Sequence, residues 1–218
     1  MMNVIREIYG VSRRGPAATL CGLLAAALAG GALAQDEPSF DCTRAESSAE
    51  KLVCDDADLA ALDRLVAERF AAAVAVTQGL GSGAQEAESR LRAYQRGWIK
   101  GRDECWKADD LRACVEAEYL RRESQLVAQY MLEEPTGTAT WQCGDNPANE
   151  VVTFFFATAL PSVRIEHGDT VDTGALMPDS SGSDYEASFG RSIRISGDVA
   201  TYRTPDPDGK SYECTIVE

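Results

Sequence analysis

The chain has one histidine, His167, and its seven cysteines include no Cys-x-x-Cys pair. Those shortages leave little from which to build a zinc site or a thioredoxin-like centre, so neither a metal nor a cofactor is expected. Positive charge is scarce too, with 21 Lys and Arg against 35 Asp and Glu and a formal net charge of -14. Such a field repels nucleic acid and anionic lipid and speeds encounter with a basic partner, although acidity also simply keeps an exported chain soluble. No Ser or Cys stands in a nucleophile motif, and His167 lies in a turn-like Glu166-His167-Gly168-Asp169, which suits a surface residue. Carboxylate pairs such as Asp198 with Asp184 or Glu186 are unavoidable among so many acids. They do not mark a hydrolase, and the chain is expected not to be an enzyme.

Long apolar runs are also missing. Leu20 to Leu33, rich in Ala and Gly, is shorter than the roughly 20 residues a membrane-spanning helix needs. With Arg6, Arg13 and Arg14 before it and Ala32-Leu33-Ala34 at its end, it reads as a secretory signal peptide over 1–34, cleaved before Gln35. Cys21 is preceded by Ala18-Thr19-Leu20, which lacks the small residue of a lipoprotein cleavage site, so a soluble periplasmic or secreted protein is expected. Loss of Arg6, Arg13, Arg14 and Glu7 takes the charge from -14 to -16. Six cysteines remain, an even number that argues for disulfides in an exported chain. Their positions favour Cys42 with Cys54, Cys105 with Cys114, and Cys143 with Cys214.

What is present divides in two. From Cys42, apolar residues recur at helical spacing: Leu59, Leu62, Val66, Phe70 and Val74, then Leu91, Tyr94, Trp98 and Cys105, then Leu111, Val115, Tyr119, Leu126 and Tyr130. Asp55, Asp56 and Asp58, and later Asp109 and Asp110, supply N-caps and first-turn acids, while Gly79, Gly81 and Gly83 break the pattern between them. Tyr94, Trp98 and Tyr119 are read as packing. Arg92, Arg96, Arg102 and Arg122 are read as partners of acids such as Asp63 and Asp103. The texture changes after Glu133-Glu134-Pro135, where short runs rich in Val, Ile, Phe, Thr and Tyr alternate with Gly, Pro, Asp and Asn. The expected fold is α+β in two domains: a disulfide-bonded helical hairpin or bundle over 35–133, and a small antiparallel eight-stranded β-barrel over 138–218. Strands are expected at 138–143, 151–157, 162–166, 170–176, 183–189, 192–195, 199–203 and 211–217.

Within the second half, Ser180-Ser181-Gly182 and Ser196-Gly197-Asp198 flank a hairpin-like unit with turn chemistry at both ends. Such turns project polar side chains from a rigid sheet and suit insertion into a partner's cleft.

Two family resemblances follow. The first half resembles the N-terminal family of LprI-like lysozyme inhibitors through Cys42-x-x-Ala45, Glu50-Lys51-Leu52-Val53-Cys54, Leu59-x-x-Leu62-Asp63, LRAYQRGWIKGRDEC from Leu91 to Cys105, and Cys114-x-x-x-x-Tyr119-x-x-Arg122. The second is similar to the MliC-type inhibitors of c-type lysozyme, which are small eight-stranded barrels. The matching residues are Trp141-Gln142-Cys143, Val151-x-x-Phe154, Ser181-Gly182-x-x-Tyr185, Gly197-Asp198-x-Ala200-Thr201 and Tyr212-x-Cys214. In that family the serine of Ser-Gly-x-x-Tyr and a lysine just before the later Gly-Asp enter the lysozyme cleft. The resemblance therefore implies a lysozyme-binding set of Ser181, Gly182, Tyr185, Arg194, Ser196, Gly197 and Asp198. The lysine itself is missing, because Ser196 stands in its place; Arg194, on the same strand face, and Arg191 nearby are its candidate substitutes. The function implied is occlusion of a lysozyme cleft to protect peptidoglycan, with a basic lysozyme as partner. The alternative is a non-inhibitory cell-envelope module that recognises another protein or a glycan.

Overall fold

The computed structural model describes residues 37–178, 180 and 183–217. The segment expected as signal peptide lies outside these, as do Ser181 and Gly182.

Four helices come first: α1 (Ser48–Asp55), α2 (Ala57–Gln78), α3 (Ala84–Asp103) and α4 (Leu111–Tyr130). Their starts follow from the caps. Ser47 and Glu50 form a reciprocal capping box on α1, Asp56 accepts from the amides of Asp58 and Leu59 on α2, and Asp110 accepts from Ala113 on α4. Cys42–Cys54 ties the short 3-10 turn at Cys42–Arg44 to α1, and Cys105–Cys114 ties the turn after α3 to α4. Ala49, Val53, Leu59, Val66, Leu91, Val115 and Tyr119 fill the core between the helices.

A polar chain runs through that core. The Tyr119 hydroxyl donates to Asp63 Oδ1 at 2.8 Å and accepts from Arg102 Nη1 at 2.7 Å, while Arg102 Nη2 donates to Asp103 Oδ1 at 2.7 Å. Asp63 thus meets a tyrosine rather than an arginine. Arg122 likewise finds no acid among the described residues: its guanidinium donates to the side-chain oxygens of Gln95 and Gln125. Tyr94 departs from the expected packing and stands 65% exposed, whereas Trp98 meets Tyr119 edge-on at 5.2 Å.

The second half is a closed antiparallel barrel of eight strands in sequence order: β1 (Gly137–Cys143), β2 (Glu150–Phe156), β3 (Ser162–His167), β4 (Thr170–Leu176), β5 (Asp184–Glu186), β6 (Ser192–Ser196), β7 (Val199–Arg203) and β8 (Ser211–Val217). Closure runs through β1 and β8, where Cys143 and Cys214 sit opposite each other and form the third disulfide. Trp141, Val151, Val163, Ile165, Ile193 and Tyr202 point inward and are buried, as the two-residue period of each strand requires.

One strand is shorter than its composition suggests. β5 ends at Glu186 rather than near Phe189 because the Ser188 amide and hydroxyl both bond to the Asp172 carboxylate, and Phe189 and Gly190 then turn at φ 54° and 70°. Phe189 is left 81% exposed.

The two halves pack against each other. Val127 and Ala128 of α4 bury against Phe156, with Phe154 and Leu132 beside them, and Arg164 Nη1 donates to the Gln129 carbonyl at 2.7 Å. No helix among the described residues is long and apolar enough to cross a membrane.

Candidate functional site

β5 pairs antiparallel with both β4 and β6, and β6 with β7. The connection from Leu176 to Asp184, which carries Ser181 and Gly182, therefore opens at the same barrel end as the Gly197-Asp198 turn. A backbone bond from Ile195 N to Ser183 O at 3.0 Å joins the two, and Ile216 N donates to Asp198 O at 2.9 Å, anchoring the turn to β8. Gly197 takes φ 62°, and an added Cβ there would meet nothing within 4 Å, so glycine serves the backbone angle rather than the space. Ser196, Gly197 and Asp198 are all exposed. Ser180 is held by its amide and hydroxyl, both donating to the Met177 carbonyl.

Tyr185 belongs to a different layer. Its side chain points into the barrel, 8% exposed, against Phe155 at 5.6 Å between ring centroids. Arg194 points outward, 71% exposed, with Nε donating to Asp184 Oδ2 at 2.9 Å directly across the β5–β6 ladder. Its cation is tied to a neighbouring carboxylate rather than left to reach past Ser196.

Arg191 is placed quite differently from Arg194. It precedes β6 and lies at the opposite barrel end, about 17 Å of strand away from Ser196 at the usual rise per residue. It is buried, with Nε 3.6 Å from Asp172 Oδ2. Beside it, His167 is half-buried rather than on the surface, with its ring edge-on to Tyr202 at 5.4 Å and Nδ1 3.4 Å from the Tyr202 hydroxyl oxygen. Burial, and then the Arg191 charge, push the imidazole below its ordinary pKa. The inward position of Arg191 could have been read from the strand period, since Arg191, Ile193 and Ile195 share one face. That it meets Asp172 of β4 could not.

No family model matches the chain, and no solved structure matches it. Among curated proteins it is similar to Lipoprotein LprI of Mycobacterium bovis and of two strains of Mycobacterium tuberculosis, 29% identical over 105 residues, which is 48% of this chain and 49% of each relative. The chain thus spans about half the length of the curated relatives it matches.

Proposed function

We propose that this chain is an exported inhibitor that occludes the active-site cleft of a c-type lysozyme and so protects peptidoglycan. The inserted edge is the barrel end between Leu176 and Asp184 and at Ser196, Gly197 and Asp198, with Ser181 and Gly182 as contacts and Tyr185 buried in the barrel. The observation that supports this is the Ile195-to-Ser183 bond, which ties the residue after Gly182 to the strand that leads into Ser196-Gly197-Asp198 on a closed barrel. The partial likeness to LprI is consistent with an inhibitory role for such a scaffold. Three disulfides and the signal-like leader fit an oxidising compartment outside the cytoplasm. A formal charge of -14 favours fast encounter with a basic enzyme, and no chemistry of its own is required of the chain.

The protein is organised as a leader over 1–34, an LprI-like helical domain over 35–133 and an MliC-like barrel over 138–218. A second role, as a cell-envelope module that binds without inhibiting, is favoured by Ser196 in the lysine's place and by the Arg194–Asp184 pair, which occupies the nearest outward cation. Lysozyme activity measured across a titration of the mature chain, together with surface binding to the same enzyme, separates the two. Inhibition that tracks binding supports the inhibitor; saturable binding with full remaining activity supports the module.

A further inference from the structure

A groove of about 580 Å³ lies between α3–α4 and the barrel end that carries Arg191. Its charge is inverted relative to the chain: Arg90, Arg122 and Arg191 line it against one carboxylate, Asp172, in a protein whose formal charge is -14. Two of those arginines are more than nine-tenths buried.

Arg191 is short of acceptors. Nε and Nη1 are buried with no hydrogen-bond partner among the described residues, and the nearby carboxylate is taken. Asp172 Oδ1 accepts from Ser188 Oγ and from Thr173 N, each at 2.8 Å, and Oδ2 accepts from Ser188 N at 3.2 Å. Arg122 donates only to the neutral amides of Gln95 and Gln125 and has no ion pair among the described residues. Buried guanidinium groups normally find a carboxylate, a phosphate or a full set of carbonyls, and groups left without one call for an explanation.

The rim adds a second feature. Phe189 stands 81% exposed at φ 54°, and that conformation is fixed from three sides: Asp206 N donates to its carbonyl at 2.8 Å, Arg203 Nη1 to the Gly190 carbonyl at 2.9 Å, and Ser188 is bound to Asp172. An aromatic side chain held in solvent by a constrained backbone is a preformed contact surface. Tyr94 and Tyr130 line the same groove.

We propose that this groove is a binding site for a small organic anion, a carboxylate or phosphate attached to a ring, with the charge taken by Arg191 and Arg122 and the ring laid on Phe189. The volume suits a small-molecule site, and a guanidinium presents the planar donor fork that both anions accept. The site is independent of lysozyme inhibition, which belongs to the other barrel end.

Calorimetric titration of the mature chain tests this with three probes: N-acetylmuramic acid (ring and carboxylate), N-acetylglucosamine (ring without charge) and inorganic phosphate (charge without ring). The acid is expected to bind, phosphate to bind more weakly, and the neutral sugar not to saturate. Phosphate binding as well as the acid assigns the site to phosphate-bearing ligands. Arg191→Gln should weaken the acid about tenfold or more, the usual loss of a hydrogen bond to a charged group. Should that variant not fold, the exposed Arg90→Gln and Phe189→Ala carry the test. The first should weaken both anions, and the second should remove the advantage of the acid over phosphate. Equal binding of the neutral sugar, no saturation by either anion, or unchanged affinity in both exposed variants overturns the proposal.

Discussion

At the barrel end that carries Gly197-Asp198, Arg194 stands in solvent and shares a 2.9 Å ion pair with Asp184; at the other end Arg191 is buried with two nitrogens that meet no acceptor among the described residues. Only two residues, Ser192 and Ile193, lie between them in the chain. An exposed pair of this kind contributes about 0–1 kcal/mol and its loss is easily tolerated. A buried cation without a full set of acceptors costs stability, so Arg191 is the position where sequence and stability disagree. That disagreement is what directs attention to the end away from the two turns.

The largest expected effect tests whether the two ends depend on one closure. Removing the Cys143–Cys214 bond, which closes a loop with a sequence separation of 71 residues, should cost roughly 4 kcal/mol on the loop-entropy model and lower the denaturant midpoint. Both ends should lose order together, visible as simultaneous loss of near-UV signal.

Arg191→Met sharpens the contrast directly. Because Asp172 keeps its bonds from Ser188 and Thr173, the substitution should leave stability unchanged or raise it by about 1–3 kcal/mol in urea unfolding, against the loss of about 3–5 kcal/mol usual when one partner of a buried ion pair is removed. A loss of similar size would mean that the Arg191–Asp172 attraction outweighs the missing bonds.

A smaller effect follows pH. The folded-state pKa of His167 lies below its ordinary 6.5, through burial and then the Arg191 charge. The unfolded chain therefore binds the proton more readily, and the contribution of the neutral imidazole is present above about pH 6.5 and lost as pH falls through that value toward the folded pKa. His167→Gln should flatten this part of the stability profile, measured by urea unfolding from pH 7.5 to 5.5. The smallest effect is at the other end: Arg194→Ala should change stability by no more than about 1 kcal/mol.

The helical half was legible where side chains act locally. Asp56 and Asp110 cap the helices they precede, and Leu59, Val66, Val115 and Tyr119 fill the core that their spacing implies. Cys42–Cys54, Cys105–Cys114 and the strand runs were legible for the same reason, whereas Cys143–Cys214 joins residues 71 apart and was legible because the two cysteines bracket the last segment. Tyr94 misled because helical spacing gives a stripe but not its edge, and it lies just outside the buried arc. Phe189 misled because strand propensity says nothing of Asp172, sixteen residues earlier, which captures Ser188 and ends β5. At the barrel end with the turns, the placement of Arg194 beside Ser196 followed from the strand period. Its capture by Asp184 depended on the β5–β6 register, which no local pattern contains.

The central claim is that lysozyme meets the end bearing Ser181 and Ser196 and not the end bearing Arg191. Inhibition constants for the mature chain and for Ser181→Ala, Ser196→Lys and Arg191→Gln against a c-type lysozyme test it most directly. Ser181→Ala should weaken inhibition by about 1–3 kcal/mol, the value of one hydrogen bond to a charged group, Ser196→Lys should strengthen it, and Arg191→Gln should leave it unchanged. Unchanged inhibition in both serine variants together with its loss in Arg191→Gln would place the inhibitory surface at the other end of the barrel and contradict the account.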